Sequence, residues 1–356
     1  MKKRITLALL SIATFLFAFH SASALTEYKY EGWTSGNGYG TAIKVDDNIT
    51  NLKGNATATG GMYVGPFSKA STAKLEDGIT EEVYIGIDPE EIANGEFFEV
   101  SLALRNGANE YVSEAVVMTQ RVGDEFKVTA GWADDFEAVV TSKGIYTYKW
   151  EMFVEEGKTY VNFTLLQGNR EIASTDEVDF DTIVTSDTKN PIVDEEDVSV
   201  KYLWFCNVNV AKGVNVYTKL PVVNLTFVDV NGEEEAEVLE VFKYMSFTEE
   251  EEEKFVEEFE KLAEENGYTF EGFYADEEFE NEFDFTKSFE DDRTVYIKMT
   301  KIEEEEDIPA DKEETSKNEE LPPKTGDINL VLLIGTIILG IAGLVVVSKK
   351  RFAKNN

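Results

Sequence analysis

The sequence predicts a mainly β protein, in which an N-terminal antiparallel β-sandwich of jelly-roll type is followed by a small α+β domain. Three observations predict this fold class. Between residues 25 and 221, apolar and polar residues alternate with a period of two in many short segments, as they do in half-buried strands. Turn-forming residues separate these segments. From residue 222 the pattern changes to a hairpin and one amphipathic helix, which indicates a second domain over residues 222–301.

The first domain, residues 25–221, is predicted to consist of strands almost throughout. Residues 98–104 and 198–210 alternate between the two faces of a strand. Residues 145–154 and 159–166 are rich in aromatic and β-branched side chains. The four residues 155–158 between them read Glu-Glu-Gly-Lys, which predicts a hairpin connection.

The second domain begins with a predicted hairpin over residues 223–230 and 236–244, with an Asn-Gly turn between the strands. A helix is expected to follow. Thr248 has the N-cap residue type, and Glu251 three places later completes a capping box. The successive glutamates in this first turn favour the positive end of the helix dipole.

The apolar face of this helix is predicted from Phe255, Phe259 and Leu262, which recur at helical spacing, and Gly267 is expected to end it. Residues 267–274 then read Gly-Tyr-Thr-Phe-Glu-Gly-Phe-Tyr. With a later Asp-Phe pair and a closing Thr-Val-Tyr strand, they resemble the B-repeat of internalins and other bacterial surface proteins. The resemblance implies a β-grasp-like fold over residues 222–301. Phe273 stands where that family usually has Trp, and the residues expected in the core are Phe270, Phe273, Phe283, Phe285 and Tyr296.

The N-terminus resembles a secretory signal peptide. Residues 2–4 are basic, residues 5–19 are apolar, and Ala22-Ser23-Ala24 offers small residues for cleavage after Ala24, so residues 1–24 are expected to be removed. His20, the one histidine of the sequence, lies in this segment. A mature protein without histidine excludes Ser-His-Asp catalysis and histidine-ligated zinc.

The C-terminus predicts a membrane anchor. Residues 330–347 carry no charged side chain and are about as long as the shortest helix that spans a bilayer. Basic residues follow directly, which predicts a cytoplasmic tail and an extracellular location for everything before the helix. Residues 302–320 are strongly acidic and predict a solvated linker.

The order of motif, apolar helix and basic tail over residues 321–356 resembles the cell-wall sorting signal of Gram-positive surface proteins. The matching pentapeptide is Pro322, Pro323, Lys324, Thr325 and Gly326, a Pro-Pro-x-Thr-Gly variant of the Leu-Pro-x-Thr-Gly motif. The resemblance implies that a sortase attacks the Thr325 carbonyl and joins it to peptidoglycan, leaving the protein anchored in the cell wall. An ordinary single-pass anchor is the alternative.

The composition is strongly acidic, with 70 acidic and 33 basic residues and a formal net charge of −37. Such a surface repels nucleic acid and anionic lipid, so we expect no nucleic-acid partner and no membrane contact outside the C-terminal helix. Cys206, the one cysteine, cannot form an intramolecular disulfide and is expected to be buried in a strand.

Residues 146–150 and 160–163 resemble strands of the concanavalin-like lectin and glucanase sandwiches, which implies a concave face where aromatic rings stack on sugars. Trp150 and Trp204 are expected in the core. Glycines beside the two remaining tryptophans, Trp33 and Trp132, indicate loops. The predicted ligand-binding residues are therefore Trp33, Tyr39 and Trp132.

No cofactor is required by the sequence, although two pairs of adjacent aspartates in predicted loops offer clustered oxygen ligands for calcium. These are Asp46, Asp47, Asp134 and Asp135. The alternative is ordinary solvated loop charge. Glu177, Asp179 and Asp181 approach the glucanase motif, but an aspartate replaces its second glutamate and reaches less far. We therefore expect no enzymatic activity.

These patterns together predict a wall-anchored adhesin or binding protein whose sandwich recognises a glycan or a host or matrix protein. Its other partners would be sortase and peptidoglycan. Two alternatives stay open at this point, a wall-bound glycoside hydrolase and a structural surface protein without a specific ligand.

Overall fold

The computed structural model describes residues 33–34, 39–56, 63–176, 178–179, 198–229, 237–265 and 267–302. The signal peptide with Ala24, the acidic linker beyond residue 302, the sorting motif and the helix predicted over residues 330–347 lie outside these ranges. Within them, no helix has both the length and the apolar character needed to cross a membrane. The chain divides into two compact units. One contains Leu25–Pro221 with Phe242–Met245, and the other contains Val222–Val241 with the residues from Ser246 onward.

The first unit is built of short strands joined mainly by turns. In chain order they are Thr41–Lys44 (β1), Ile49–Lys53 (β2), Ser71–Thr72 (β3), Ile79–Ile87 (β4), Phe97–Arg105 (β5), Tyr111–Val122 (β6), Glu125–Ala130 (β7), Ala133–Val140 (β8), Gly144–Glu155 (β9), Lys158–Gln167 (β10), Arg170–Ser174 (β11), Val178–Asp179 (β12), Val200–Asn209 (β13) and Val214–Tyr217 (β14).

Two antiparallel sheets result. The larger has the order β1-β2-β14-β4-β9-β10-β11, with β12 beside β10, and the smaller has the order β3-β13-β5-β6-β7-β8. The predicted mainly β class with antiparallel sheets is confirmed.

One hydrophobic core joins these two sheets. Alternate residues of β4 and β9, such as Ile85 and Trp150, and alternate residues of β5 and β13, such as Val100 and Phe205, are fully buried in the same cluster. Because side chains of a strand point alternately to its two faces, each sheet buries one face in this cluster. The first unit is therefore a two-layer sandwich.

The predicted hairpin at residues 155–158 is confirmed. Glu155 and Lys158 are opposite each other at the end of β9 and β10, so the connection is only Glu156-Gly157. Both turn residues have positive φ, 51° and 74°. This is the type I′ geometry, whose twist matches that of the strands it joins.

The second unit contains Val222–Asp229 (β15), Glu237–Phe242 (β16), the helix Glu249–Glu265 (α1), Tyr268–Tyr274 (β17) and Arg293–Lys301 (β18). The sheet order is β16-β15-β18-β17, and β15 and β18 run parallel. Parallel neighbours need a crossover connection, and α1 lies in the chain between these two strands.

The predicted capping box begins α1. The Thr248 hydroxyl accepts the Glu251 N–H at 3.2 Å, and the Glu251 carboxylate accepts the Thr248 N–H at 2.8 Å. Gly267, just beyond the helix, has φ of 83°, as expected for a residue that ends a helix. The second predicted strand of the hairpin is shorter than expected, because Tyr244 has φ of 66° and leaves the extended conformation.

The core of the second unit is rich in phenylalanine. Phe255 and Phe259 of α1 are buried against Phe273, with ring centroids 5.3 and 5.0 Å away. Phe273 and Phe285 are therefore core residues, as expected, whereas Phe270 and Phe283 are half-buried against the same core. Tyr296 was also expected in the core but is only half-buried, since Val295 and Ile297 on either side of it take the buried face of β18.

Buried tyrosines are a feature of the sandwich core. The Tyr148 hydroxyl lies 2.6 Å from the Thr119 hydroxyl, and the Tyr146 hydroxyl donates to the Ser142 carbonyl at 2.9 Å. Burial raises the pKa of both tyrosines above its ordinary value. The same cause raises the pKa of Tyr202.

These tyrosines predict a specific loss of stability at alkaline pH. Unfolded tyrosines ionise at about pH 10, whereas the buried ones keep their protons to higher pH. The native state therefore binds more protons than the unfolded state above about pH 10, so the free energy of unfolding falls as pH rises beyond that value. Denaturant unfolding at a series of alkaline pH values measures this slope. Tyr148→Phe should make the fall shallower, and Tyr39→Phe, at an exposed position, is the control. An unchanged slope in Tyr148→Phe would contradict the assignment.

Candidate functional site

The three aromatic residues predicted to bind a ligand differ in how far their side chains are exposed. Trp132 is buried at 4% exposure, so the prediction that it is exposed is wrong. It lies in the short connection between β7 and β8, where the ring packs into the sandwich core rather than into solvent. The neighbouring Gly131 correctly indicated a turn, but it did not indicate the direction in which the Trp132 side chain points.

Trp33 and Tyr39 lie outside the regular strands. Trp33 is half-buried and packs edge-on against Phe205, with centroids 5.4 Å apart. Tyr39 is 39% exposed and packs edge-on against Phe67 at 5.1 Å. In the described part of the chain, no ring contact joins Trp33, Tyr39 and Trp132, so the predicted residues do not form one aromatic platform.

The two tryptophans expected in the core behave differently from each other. Trp150 is fully buried, as predicted. Trp204 is half-buried, and its indole N–H donates to the Gly65 carbonyl at 3.3 Å.

The aspartates predicted as calcium ligands have other roles where they are described. Asp46 accepts the backbone N–H groups of Asn48 and Ile49 at 2.7 and 2.8 Å and so shapes the turn between β1 and β2. Asp47 forms an exposed ion pair with Lys44. Asp134 and Asp135 lie within strand β8, so their placement in a loop was wrong. Among the described residues, no group of three or more His, Cys, Asp or Glu side chains is placed to hold a metal ion.

Cys206 is buried in β13, as predicted. Burial raises the pKa of its thiol, and the carboxylates of Glu114 and Glu99 raise it further. The thiol is therefore kept protonated, and a protonated thiol is a poor nucleophile.

A pocket of about 160 Å³ lies at one end of the larger sheet. It is bounded by the ends of β4, β9 and β14 and by the residues that follow or precede them. Its lining residues are Gly86, Ile87, Asp88, Glu91, Ile92, Lys143, Gly144, Gly213, Asn215, Tyr217 and Tyr244. We call this the Tyr217 pocket.

Strand pairing explains how the Tyr217 pocket forms. In β14, Val214 and Val216 face the core, which leaves Asn215 and Tyr217 on the outer face of the sheet. Asn215 is opposite Gly86 of β4. A Cβ atom on Gly86 would lie 3.0 Å from Cε2 of Tyr217, so the absence of a side chain there gives the tyrosine ring its place on the sheet.

The polar groups of the pocket are partly engaged. The Asn51 amide donates to Asn215 Oδ1 at 2.8 Å. Lys143 Nζ lies 2.9 Å from Asp88 Oδ2 and 5.4 Å from the centroid of the Tyr244 ring. The Gln167 side-chain amide donates a hydrogen bond to the backbone carbonyl of Tyr244 at 3.0 Å, which holds Tyr244 in place.

The two tyrosine hydroxyls differ from these groups, because neither forms a hydrogen bond within the described part of the chain. Burial raises the pKa of Tyr217 to about 12, and nearby Tyr244 and Asp46 add to the effect. The Tyr217 hydroxyl therefore stays protonated at physiological pH and is able to donate a hydrogen bond. Two rings, two hydroxyls, an amide and an ion pair thus converge on one concavity.

Sequence reasoning did not identify these residues. One signal was present, since a glycine in the interior of a strand, such as Gly86, often marks the close approach of another group. The identity of that group depends on which strand pairs with β4.

Comparisons with known proteins found no matching family model and no matching curated protein. The solved structures that match in part include the following three. The CBM2 module of the evolved Dit protein of Lactobacillus casei BL23 phage J-1 is 11% identical, with a TM-score of 0.32, over 54% of this chain and 84% of that one. A Bacillus licheniformis β-glucanase is 10% identical, with a TM-score of 0.24, over 52% and 86%. A native glycosidic hydrolase is 14% identical, with a TM-score of 0.24, over 52% and 77%. Similarity at this level does not establish a shared function.

The pocket geometry predicts unequal effects of alanine at two glycines with similar φ angles. Gly213 and Gly95 have φ of 85° and 87°, so alanine is strained at both. A Cβ on Gly213 would also lie 2.5 Å from Asn51 Oδ1 and 2.7 Å from the Leu52 carbonyl oxygen, whereas a Cβ on Gly95 meets nothing within 4 Å. Gly213→Ala should therefore lower the free energy of unfolding by at least ~1 kcal/mol more than Gly95→Ala. Equal losses in denaturant unfolding would show that the contact around Gly213 is not tight.

Proposed function

We propose that this chain is a secreted, cell-wall-anchored binding protein whose β-sandwich recognises a glycan in the Tyr217 pocket. The observation that carries the glycan proposal is the convergence of Tyr217 and Tyr244, whose hydroxyls make no hydrogen bonds among the described residues, with Asn215 and the Lys143–Asp88 pair. The anchoring proposal rests on the signal-peptide pattern of residues 1–24 and the sorting signal of residues 321–356.

A sugar ring matches this set of groups. Its C–H groups carry a small positive charge and pack on the negative face of an aromatic ring. Its hydroxyls both donate and accept, so they pair with tyrosine hydroxyls, an amide and charged groups. A pocket of about 160 Å³ suits a single ring better than a long chain held along its whole length.

We propose binding without catalysis. A glycosidase needs one carboxylic acid that protonates the leaving group and a second carboxylate near it. The pocket carries two acids, Asp88 and Glu91, but both carboxylate oxygens of Asp88 are already engaged, one by the Glu90 N–H at 2.8 Å and the other by Lys143 at 2.9 Å.

For the remaining parts we propose a jelly-roll connectivity in the sandwich and a β-grasp-like B-repeat in the second unit. The order β16-β15-β18-β17 with a parallel central pair supports the latter. In this proposal the B-repeat and the acidic linker are a short spacer between the sandwich and the wall.

Binding of the full-length protein to a glycan array, in a detergent without a sugar headgroup, tests the glycan proposal. Tyr217→Ala removes a ring and a hydroxyl from the pocket and should weaken binding at least about tenfold. Tyr39→Ala is the matched control, since it removes an exposed ring outside the pocket and should leave binding unchanged. Loss of binding in Tyr39→Ala alone would place the site at the surface predicted from sequence. No binding to any sugar would favour a protein ligand.

Fractionation of a sortase-containing Gram-positive host that expresses the protein tests the anchoring proposal. The wild type should be found in the cell-wall fraction and be released by a muramidase. Deletion of residues 322–326 should move it to the membrane fraction, because the apolar helix remains while the sorting motif is lost. Asp327→Asn, just outside the motif, is the control. Wall attachment that persists after the deletion would show that another segment anchors the protein.

A further inference from the structure

Charged residues of both signs surround the Tyr217 pocket. Among the residues that line it, Asp88 and Glu91 are acidic and Lys143 is basic. Asp46 also acts on Tyr217 electrostatically from outside the lining. Two further lysines contact lining residues, since Lys212 lies 4.0 Å from Glu91 and Lys243 lies 5.3 Å from the centroid of the Tyr244 ring. The charge that a ligand meets therefore depends on how each acid is paired.

Contacts with an acid and with an aromatic ring hold Lys143, the cation of the lining, in place. Its Nζ is 2.9 Å from Asp88 Oδ2 and 5.4 Å from the centroid of the Tyr244 ring. Asp88 is mostly buried, with a side-chain exposure of 20%, and Lys143 is 40% exposed. A partly buried pair of this kind is screened less by solvent than a surface pair.

The fold builds this pair in two ways. Ile87 and Gly144 are opposite each other in β4 and β9, so Asp88 and Lys143 are the next residues beyond the end of the ladder. The loop then fixes Asp88, whose Oδ1 accepts the Glu90 N–H at 2.8 Å. One carboxylate oxygen is bound to backbone and the other to Lys143.

The second acid of the lining is less constrained. Glu91 lies 4.0 Å from Lys212, and both side chains are exposed by about half, at 43% and 58%. Ion pairs of this kind contribute little. Neutralisation of Glu91 therefore changes the charge of the pocket while leaving the Lys143 pair intact.

We infer that Asp88 determines the ligand class of the Tyr217 pocket: by holding Lys143 in an ion pair it excludes anionic sugars and admits uncharged ones. This inference rests on the proposed glycan binding. An incoming carboxylate would meet the Asp88 and Glu91 charges, and Lys143 would have to leave Asp88 to compensate it. An uncharged sugar binds while the pair stays intact, with Lys143 as a fixed donor and Asp88 as a fixed acceptor.

The test compares sugars that differ only in charge. Methyl hexopyranosides of the gluco, galacto and manno configurations are titrated into the full-length protein in a sugar-free detergent, each beside its uronate, in which a carboxylate replaces the hydroxymethyl group. Calorimetry gives the affinities. The wild type should bind at least one neutral sugar and bind the matching uronate at least about tenfold more weakly.

Three variants separate Asp88 from general charge effects. Asp88→Asn keeps the shape and an acceptor for the Glu90 N–H but releases Lys143 from its carboxylate partner, so the preference for the neutral sugar should disappear or reverse. Glu91→Gln removes the same charge without releasing Lys143 and should change the preference much less. Adding Lys143→Met to Asp88→Asn should abolish the gained uronate binding. Thermal unfolding checks that each variant is folded.

Equal binding of neutral and anionic sugars by the wild type would overturn the inference, as would an unchanged preference in folded Asp88→Asn. An equal effect of Glu91→Gln would also overturn it, since net charge rather than the ion pair would then set the preference. If no sugar binds to any variant, the proposed glycan function itself is wrong, and this result is distinct from binding without discrimination.

Discussion

Burial of one face of each sheet in a shared core determines which residues of the sandwich are left to contact a ligand. In β9, Tyr146, Tyr148 and Trp150 face that core and are at most 1% exposed, whereas Thr147 and Lys149 stand on the other face. A shift of the register by one residue would exchange these two sets. The aromatic residues that dominate this strand are therefore a requirement of the core, and the candidate site is formed by residues near the strand ends.

The site forms where glycines provide the space or the backbone conformation that it needs. Gly86 leaves room on the outer face of β4 for the Tyr217 ring, and the sharp turn before β14 needs the positive φ of Gly213. Both positions also lie close to other atoms, so a larger residue at either one would displace the neighbours that shape the pocket. Packing of the sheet and the shape of the pocket are thus coupled through the same backbone positions.

Features that depend on neighbouring residues in the chain were predictable from the sequence. The Glu156-Gly157 turn and the Thr248–Glu251 capping box each use residues at most a few positions apart, so their residue types report their geometry directly. The burial of Cys206 is a different case, because Phe205 beside it faces the shared core and the strand is irregular between Trp204 and Asn207, so alternation alone does not account for it. The prediction for Trp132 was wrong because the side chain of a turn residue next to glycine is able to point to either side, and only the position of the second sheet decides which direction buries it.

The pocket was not predictable for a related reason. Tyr217 meets Gly86 because β14 inserts between β2 and β4, strands that lie far earlier in the chain. Asp88 meets Lys143 because β4 pairs with β9 and not with the strand that follows it. Local periodicity predicts neither pairing, since any antiparallel partner satisfies the same alternation of side chains. A chain with 70 acidic residues offers many carboxylates for each lysine, and the ladder between β4 and β9 is what selects Asp88 as the partner of Lys143.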